Sequence, residues 1–318
     1  MRSPGVVIAA GGDISLAGVV TEGLQRFGAG WVFKRLAPAL RAADLFTANL
    51  ESPLLPNGIE PAARRHAVPG ELLDAFFNAR LPPMAFTLAN NHAFDAGRAG
   101  VLRTQRKLGK IGITHFGAGR DGTAAREPRF VDVKGLRIGF LGRTEDSPQV
   151  NDKGFPGPGL IRYPQLLRDV RGAAGRCDAL IVHLHQGLEF VDWPGPHMVR
   201  LCRELVAAGA RIVIGNHPHV PQGWEFVFRG PRPAVAGGSA PRGRLSSGEA
   251  HRTPRTPKGI IFYSLGNLVF DVARNPYVRQ GSPWTNRSVV AMIPLSRSGI
   301  GEPTFIPYRI GRAGRPIP

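Results

Sequence analysis

Seven short apolar runs recur along this chain, and five of them are followed at once by a side chain able to bind a metal ion. The runs are Val6 to Ala10, Leu45 to Leu50, Met84 to Ala89, Leu136 to Leu141, Ala179 to Leu184, Arg211 to Gly215 and Ile260 to Leu265. Amphipathic segments lie between them, the alternation expected when strands are separated by covering helices, so the chain is predicted to be α/β. Helices are predicted at Glu71 to Arg80, Ala99 to Lys110, Pro164 to Ala174 and through PHMVRLCRELVAAG. In that last segment Met198, Leu201, Cys202, Leu205 and Val206 form one apolar stripe, and Gly209 is a natural terminator.

Asp13 follows the first run, Glu51 the second, Asn91 and His92 the third, His185 the fifth, and His217 and His219 the sixth. Ligands of open α/β sheets bind beyond the carboxyl ends of strands, so these remote positions are predicted to converge on one edge. His217 and His219 form an H-x-H step, which in extended chain puts both imidazoles on the same side. The same holds for His183 and His185, and spacing alone does not say which of the two faces the ligand. Carboxylates, an amide oxygen and several imidazoles make a borderline to hard donor set, suited to manganese, iron or zinc. The donors outnumber what one ion needs, which suggests two divalent ions, the arrangement that activates a water and clamps a phosphoryl group. Asp95, three residues beyond His92, is placed to fix that imidazole's tautomer.

Lys and Arg number 41 against 23 acids, a formal charge of +18 over 318 residues, which favours an acidic partner such as a phosphate ester or an anionic polymer. The segment 229–258 is rich in Pro, Gly and Ser, has no periodicity and carries seven Arg or Lys with one Glu, so it reads as a disordered insertion in a single domain spanning 1–318. It has no interleaved aromatics, so a nucleic-acid-binding arm is not expected. Two cysteines without a C-x-x-C pair exclude a disulfide framework and a thiolate zinc site. The amino-terminal apolar run ends at Ala10, and no apolar stretch reaches membrane-spanning length, so a cytoplasmic protein is expected. Phosphate-loop, G-x-S-x-G and H-E-x-x-H patterns are missing from the sequence, against kinase, serine-hydrolase and zincin chemistry.

Six stretches, GDISLAG (12–18), NLESPL (49–54), LANNHAFDAG (88–97), HQGLE (185–189), GNHPHV (215–220) and YSLGNLVFD (263–271), together resemble the bacterial capsule-synthesis CapA family, which includes poly-γ-glutamate synthesis proteins. The resemblance implies a two-sheet sandwich flanked by helices, the four-layer α/β/β/α arrangement of calcineurin-like metallophosphoesterases. It also implies a metal-dependent hydrolase of capsule or poly-γ-glutamate biosynthesis, or else an accessory subunit that binds an acidic polymer or a polymer synthase. Asp13 and His219 would hold one ion, Asn91, His185 and His217 the other, and Glu51 would bridge them. His92 would be the general acid or oxyanion partner, with Asp95 behind it. Ser15 stands where phosphoesterases commonly carry a histidine, and Gln186 where CapA-like sequences usually carry tryptophan. Residues 229–258 lengthen a connection that is normally shorter.

Glu189 reads as an acid that orients a ligand or contacts substrate, with an exposed loop acid almost as well supported. Ser264 and Asn267 read equally as ligand contacts and as polar groups where Gly266 lets backbones approach. His66, His115, His197 and His251 lack a supporting context and are read as surface or packing residues.

Overall fold

The strand Ala179–His185 is buried at all seven positions, as a strand covered on both faces must be. Its side chains alternate between two cores: Ile181 enters a layer shared with Ile8, Ile138 and Ile212, while Leu180 and Val182 enter one shared with Leu166, Leu201 and Leu205. That alternation defines the architecture. The computed structural model describes residues 5–28, 30–56, 59, 66–76, 81–145, 154–228 and 256–317.

The strands of the two main sheets are, in chain order, β1 (Val6–Ile14), β2 (Leu45–Leu50), β3 (Met84–Thr87), β4 (Thr114–Phe116), β5 (Arg129–Val133), β6 (Leu136–Thr144), β7 (Ala179–His185), β8 (Ile212–Asn216), β9 (Trp224–Phe228), β10 (Pro257–Phe262), β11 (Asn267–Val269), β12 (Arg287–Ser296), β13 (Gly299–Ile300), β14 (Thr304–Ile310) and β15 (Pro316–Ile317). The nine-stranded sheet runs β15-β14-β12-β1-β2-β3-β4, with β11 also on β1 and β13 on β12; the six-stranded sheet runs β9-β10-β8-β7-β6-β5. Helices α1 (Val19–Phe27) and α2 (Gly97–Lys110) cover the first sheet through Leu24, Val101 and Leu108. Helices α3 (Tyr163–Ala174) and α4 (Pro196–Ala208) cover the second through Leu166, Val170, Leu201 and Leu205. The layers are therefore α/β/β/α, with an apolar seam between the sheets. Each Leu, Ile or Phe buried there contributes roughly 1.5–3 kcal/mol.

The sequence expectations fail in places with identifiable causes. The segment predicted as a helix from Glu71 is a 3-10 helix over Gly70–Phe76, and 77–80 lie outside the described residues. Most of the predicted insertion, 229–255, also lies outside them, but its carboxyl end at Pro257 and Lys258 already belongs to β10. Strands β12 and β14 were not foreseen because Pro294 and Pro307 interrupt their apolar pattern.

Two glycines bring the sheets' edges together. A Cβ at Gly12 would lie 1.8 Å from the Gly266 carbonyl oxygen, and one at Gly215 would lie 1.9 Å from that of Tyr263. The stretch 263–266 thus crosses from β10 to β11 in direct backbone contact with both β1 and β8. Among the described residues no helix is long and apolar enough to cross a membrane.

Candidate metal centre

Parallel pairing of β1 with β2, and of β7 with β8, aligns the strand ends that carry the polar residues. The register of β1 shifts between Ala10 and Asp13, after which Asp13 sits opposite Asn49 on β2 and Asn267 on β11. Glu51 follows β2, His185 closes β7, and His217 and His219 follow β8. All of these side chains meet at one end of the sandwich.

Asn49 is the hub. Its Nδ2 donates to Asp13 Oδ1 at 2.8 Å and to Glu51 Oε1 at 3.0 Å, and lies 3.2 Å from His185 Nδ1. Asn90 holds the hub in turn by donating from Nδ2 to Asn49 Oδ1 at 3.0 Å and to the Leu50 carbonyl at 2.9 Å. His185 Nε2 lies 2.8 Å from Asn91 Oδ1 and 3.3 Å from Glu51 Oε1. Asp13 Oδ2 accepts from the His217 amide at 3.2 Å and lies 3.4 Å from His219 Nδ1. The His185 and His217 rings are 4.7 Å apart between centroids. Asp13, Glu51, Asn91, His185, His217 and His219 are thus one connected cluster.

The donor atoms fall into two groups, Asp13 with Glu51 and His185, and Glu189 with His217 and His219, each gathered within 4.8 Å. This differs from the division that the family resemblance implies, which separated Asp13 from His185 and left Glu189 out. The H-x-H step also reaches the site by another route than strand alternation. His217 and His219 have φ of 99° and 58°, a turned backbone in the left-handed half of conformational space that bulky residues rarely adopt and that a surrounding structure must enforce.

Electrostatics single out Glu51. Glu51 and Asp13 are fully buried, and Glu51 Oε2 has no hydrogen-bond partner among the described residues. Burial, with the Asp13 charge adding to it, raises the Glu51 carboxyl well above the usual carboxylate range. Burial also drives His185 well below the ordinary histidine value, helped by His217 and His219, and lowers His217. Burial works against the His219 charge as well, but its hydrogen bond to Asp13 and the neighbouring Glu51 charge outweigh that and push it up to about 9. Two adjacent buried carboxylates, one with a bare oxygen, beside His185 and His217, which burial holds neutral, fit a divalent cation, which removes the cost of burying such charges.

Beside this cluster, His92 Nδ1 lies 2.9 Å from Asp95 Oδ2, as the sequence spacing suggested. Of the two readings of His66, packing is the one the structure shows, and it packs at the site itself: it is buried, its ring stacks on His92 at 3.8 Å, its Nδ1 lies 2.9 Å from Ser15 Oγ, and its backbone N–H donates to Asp95 Oδ2 at 3.0 Å. Its sequence neighbourhood, with no strand before it, gave no signal. His183 is a core residue, with Nε2 2.9 Å from Thr47 Oγ1, and Asn267 contacts His219 rather than lining open space. Gln186 is buried, and its amide donates to the Asn216 carbonyl. Asn49 was missed although it lies in the NLESPL stretch, because an asparagine inside a strand reads as a ladder position rather than as the meeting point of Asp13, Glu51 and His185.

The family profile described as bacterial capsule synthesis protein, PGA_cap, matches residues 7–272. The chain is 28% identical over 323 residues to the capsule biosynthesis protein CapA of Bacillus anthracis, covering 96% of this chain and 68% of that one. It is 28% identical to the PGA biosynthesis protein CapA of Bacillus subtilis, covering 95% and 71% respectively. A probable polyglutamine synthesis accessory protein of Mycobacterium tuberculosis is 32% identical over 167 residues, 47% of this chain and 43% of that one. In fold, a hypothetical protein from Thermus thermophilus is similar with a TM-score of 0.51 at 14% identity, covering 95% of this chain and 99% of that one. The profile spans Asp13 through Asn267 and so contains the whole cluster described above: the chain belongs to the bacterial capsule synthesis protein family.

Proposed function

We propose that this chain is a metal-dependent hydrolase of capsule or poly-γ-glutamate biosynthesis, acting on a phosphate ester or an acidic polymer. The observation that carries the reading is the buried Glu51 carboxylate, with one oxygen bare, beside Asp13 and a ring of imidazoles. Asp13, Glu51, Asn91, His185, His217 and His219 would hold two divalent ions, of manganese, iron or zinc. Such ions lower the pKa of a water and neutralise charge developing on substrate oxygens.

The chain's own groups complete the chemistry. Asp95 accepts from His92 Nδ1, which leaves Nε2 as the nitrogen that exchanges a proton with the departing group. His66 stacked on that ring limits its rotation. A surplus of basic residues draws an anionic substrate toward the molecule.

The experiment is metal analysis of the purified protein together with assays on a phosphomonoester, a phosphodiester and poly-γ-glutamate, for wild type and His92→Ala. The expected result is metal retained and turnover lost in the variant. Equal turnover by the two proteins removes His92 from the mechanism. The name of the Mycobacterium tuberculosis relative favours a second reading, an accessory subunit that binds the polymer or its synthase. Metal-loaded protein that binds poly-γ-glutamate and turns over no panel member establishes that reading instead.

A further inference from the structure

Glu189 lies outside the ligand set just named, on the loop 186–195 that leaves β7. Gly187 and Phe190, at φ of 105° and 65°, fold this loop back over the H-x-H segment. Three hydrogen bonds strap the two together: Gln186 N to Asn216 O at 3.1 Å, Phe190 N to Pro218 O at 2.8 Å, and Gln222 Nε2 to Val191 O at 2.7 Å. A non-glycine residue held at positive φ costs on the order of 1–3 kcal/mol. Phe190, His217 and His219 all bear that cost, on two facing segments, and the result is that the Glu189 carboxylate meets both imidazoles.

The contacts at that meeting point are incomplete. Glu189 Oε1 is 3.9 Å from His217 Nε2, too far for a hydrogen bond. Glu189 Oε2 and His217 Nδ1 are both buried without a hydrogen-bond partner among the described residues. An acid and an imidazole that merely formed an ion pair would close to about 2.8 Å. Two donors each about 2.0–2.1 Å from a common ion stand roughly 3.3 Å apart, nearer to the separation seen.

We propose that Glu189 is itself a cation ligand, completing with His217 and His219 a position adjacent to the one formed by Asp13, Glu51 and His185. The proposal rests on the metal-dependent reading above. The two positions differ in setting. Asp13, Glu51 and His185 are fully buried or nearly so, whereas the Glu189 and His217 side chains are 19% and 18% exposed. The second ion therefore faces solvent and substrate, and it depends on a loop as well as on strand ends, so it is the weaker-bound and more readily exchanged of the two.

The test counts manganese. Metal-stripped protein is equilibrated with Mn²⁺, and bound ions per chain are measured by atomic emission, with electron paramagnetic resonance to detect a spin-coupled pair. Glu189→Gln keeps the side chain's shape and removes its charge; Asp192→Asn, on the same loop and exposed, is the control. The expected result is two ions and a coupled signal in wild type and in Asp192→Asn. Glu189→Gln should hold one ion firmly, bind the second at least tenfold more weakly, and lose the coupled signal. Equal unfolding of the metal-free proteins shows that the variant folds. Unchanged stoichiometry and affinity in Glu189→Gln, or a single ion in wild type that the variant keeps, overturns the proposal. No uptake by wild type at all overturns the metal-dependent reading beneath it.

Discussion

Asn267 Oδ1 lies 2.8 Å from His219 Nδ1, and the rest of the Asn267 carboxamide leaves no ambiguity about who donates. Its Nδ2 donates to the carbonyls of His219 and Thr285, both at 3.2 Å, so Oδ1 must be the atom that faces the ring. His219 therefore carries a proton on Nδ1, which leaves Nε2 as the nitrogen that a cation would take once its own proton is displaced. Asn267→Ala removes this control. Groups behind a metal-binding histidine are typically worth 10- to 100-fold in affinity, and a Mn²⁺ titration should show a loss of about that size. The two carbonyls left unpaired should also cost about 1–3 kcal/mol in urea unfolding of the metal-free protein.

Gly12→Ala tests the crossing of 263–266 over β1. The added methyl would lie 1.8 Å from a backbone oxygen, which no side-chain rotation relieves. Overpacking of this kind costs about 1–3 kcal/mol or more, and the midpoint of urea unfolding should fall accordingly. A midpoint equal to that of wild type would show that the crossing yields without cost.

Much of this arrangement is legible in the residues. Leu45 to Leu50 was bounded to the residue, and the α4 stripe of Met198, Leu201, Cys202, Leu205 and Val206 is the one that the helix buries. Uninterrupted apolar runs between turn residues have few alternatives, since one or both faces must be covered. Convergence of Asp13, Glu51, His185 and His217 was also readable, because the carboxyl ends of parallel strands share an edge. What stayed hidden depends on contacts that leave no periodic trace. His66 reaches the site from an irregular segment, Asn49 acts through contacts to Asp13, Glu51 and His185, and the turned backbone at His217 and His219 is imposed by the segments around them. The carboxyl-terminal strands were hidden for another reason: proline broke their pattern although it sits at a tolerated place in the ladder.

His183 should make the metal-free protein sensitive to mild acid. Burial lowers it to about 4, whereas the unfolded chain titrates near 6.5. Between those values the unfolded state binds the extra proton, so stability falls as pH drops through that window and is retained above it. The whole effect is about 3 kcal/mol, of which about 2 kcal/mol has been lost at pH 5. His183→Gln does not titrate and keeps a donor for Thr47. Urea unfolding at pH 7.5 and pH 5 should therefore show a loss smaller by about 2 kcal/mol in the variant; equal losses in both proteins would assign the acid sensitivity to other groups.

Arg143 is almost wholly buried at the end of β6, where Nη2 donates to Asp169 Oδ2 at 2.7 Å and Nη1 to the Gly142 carbonyl at 2.7 Å. Burial works against its charge, and Asp169 supports it. Asp169→Ala strands that guanidinium, so urea unfolding should show a loss of about 3–5 kcal/mol. Asp169→Asn, which still accepts a hydrogen bond, should lose less.

The crossing at 263–266 ties together parts of the cluster that lie far apart in sequence. Asp13 lies on β1 and Glu51 just after β2, but the backbone that locks β1 against β8, and the asparagine that faces His219 Nδ1, come more than two hundred residues later. These carboxylates and imidazoles therefore stand together only in the folded chain, and a fragment that stops short of residue 263 would lack the contact that joins the two sheets.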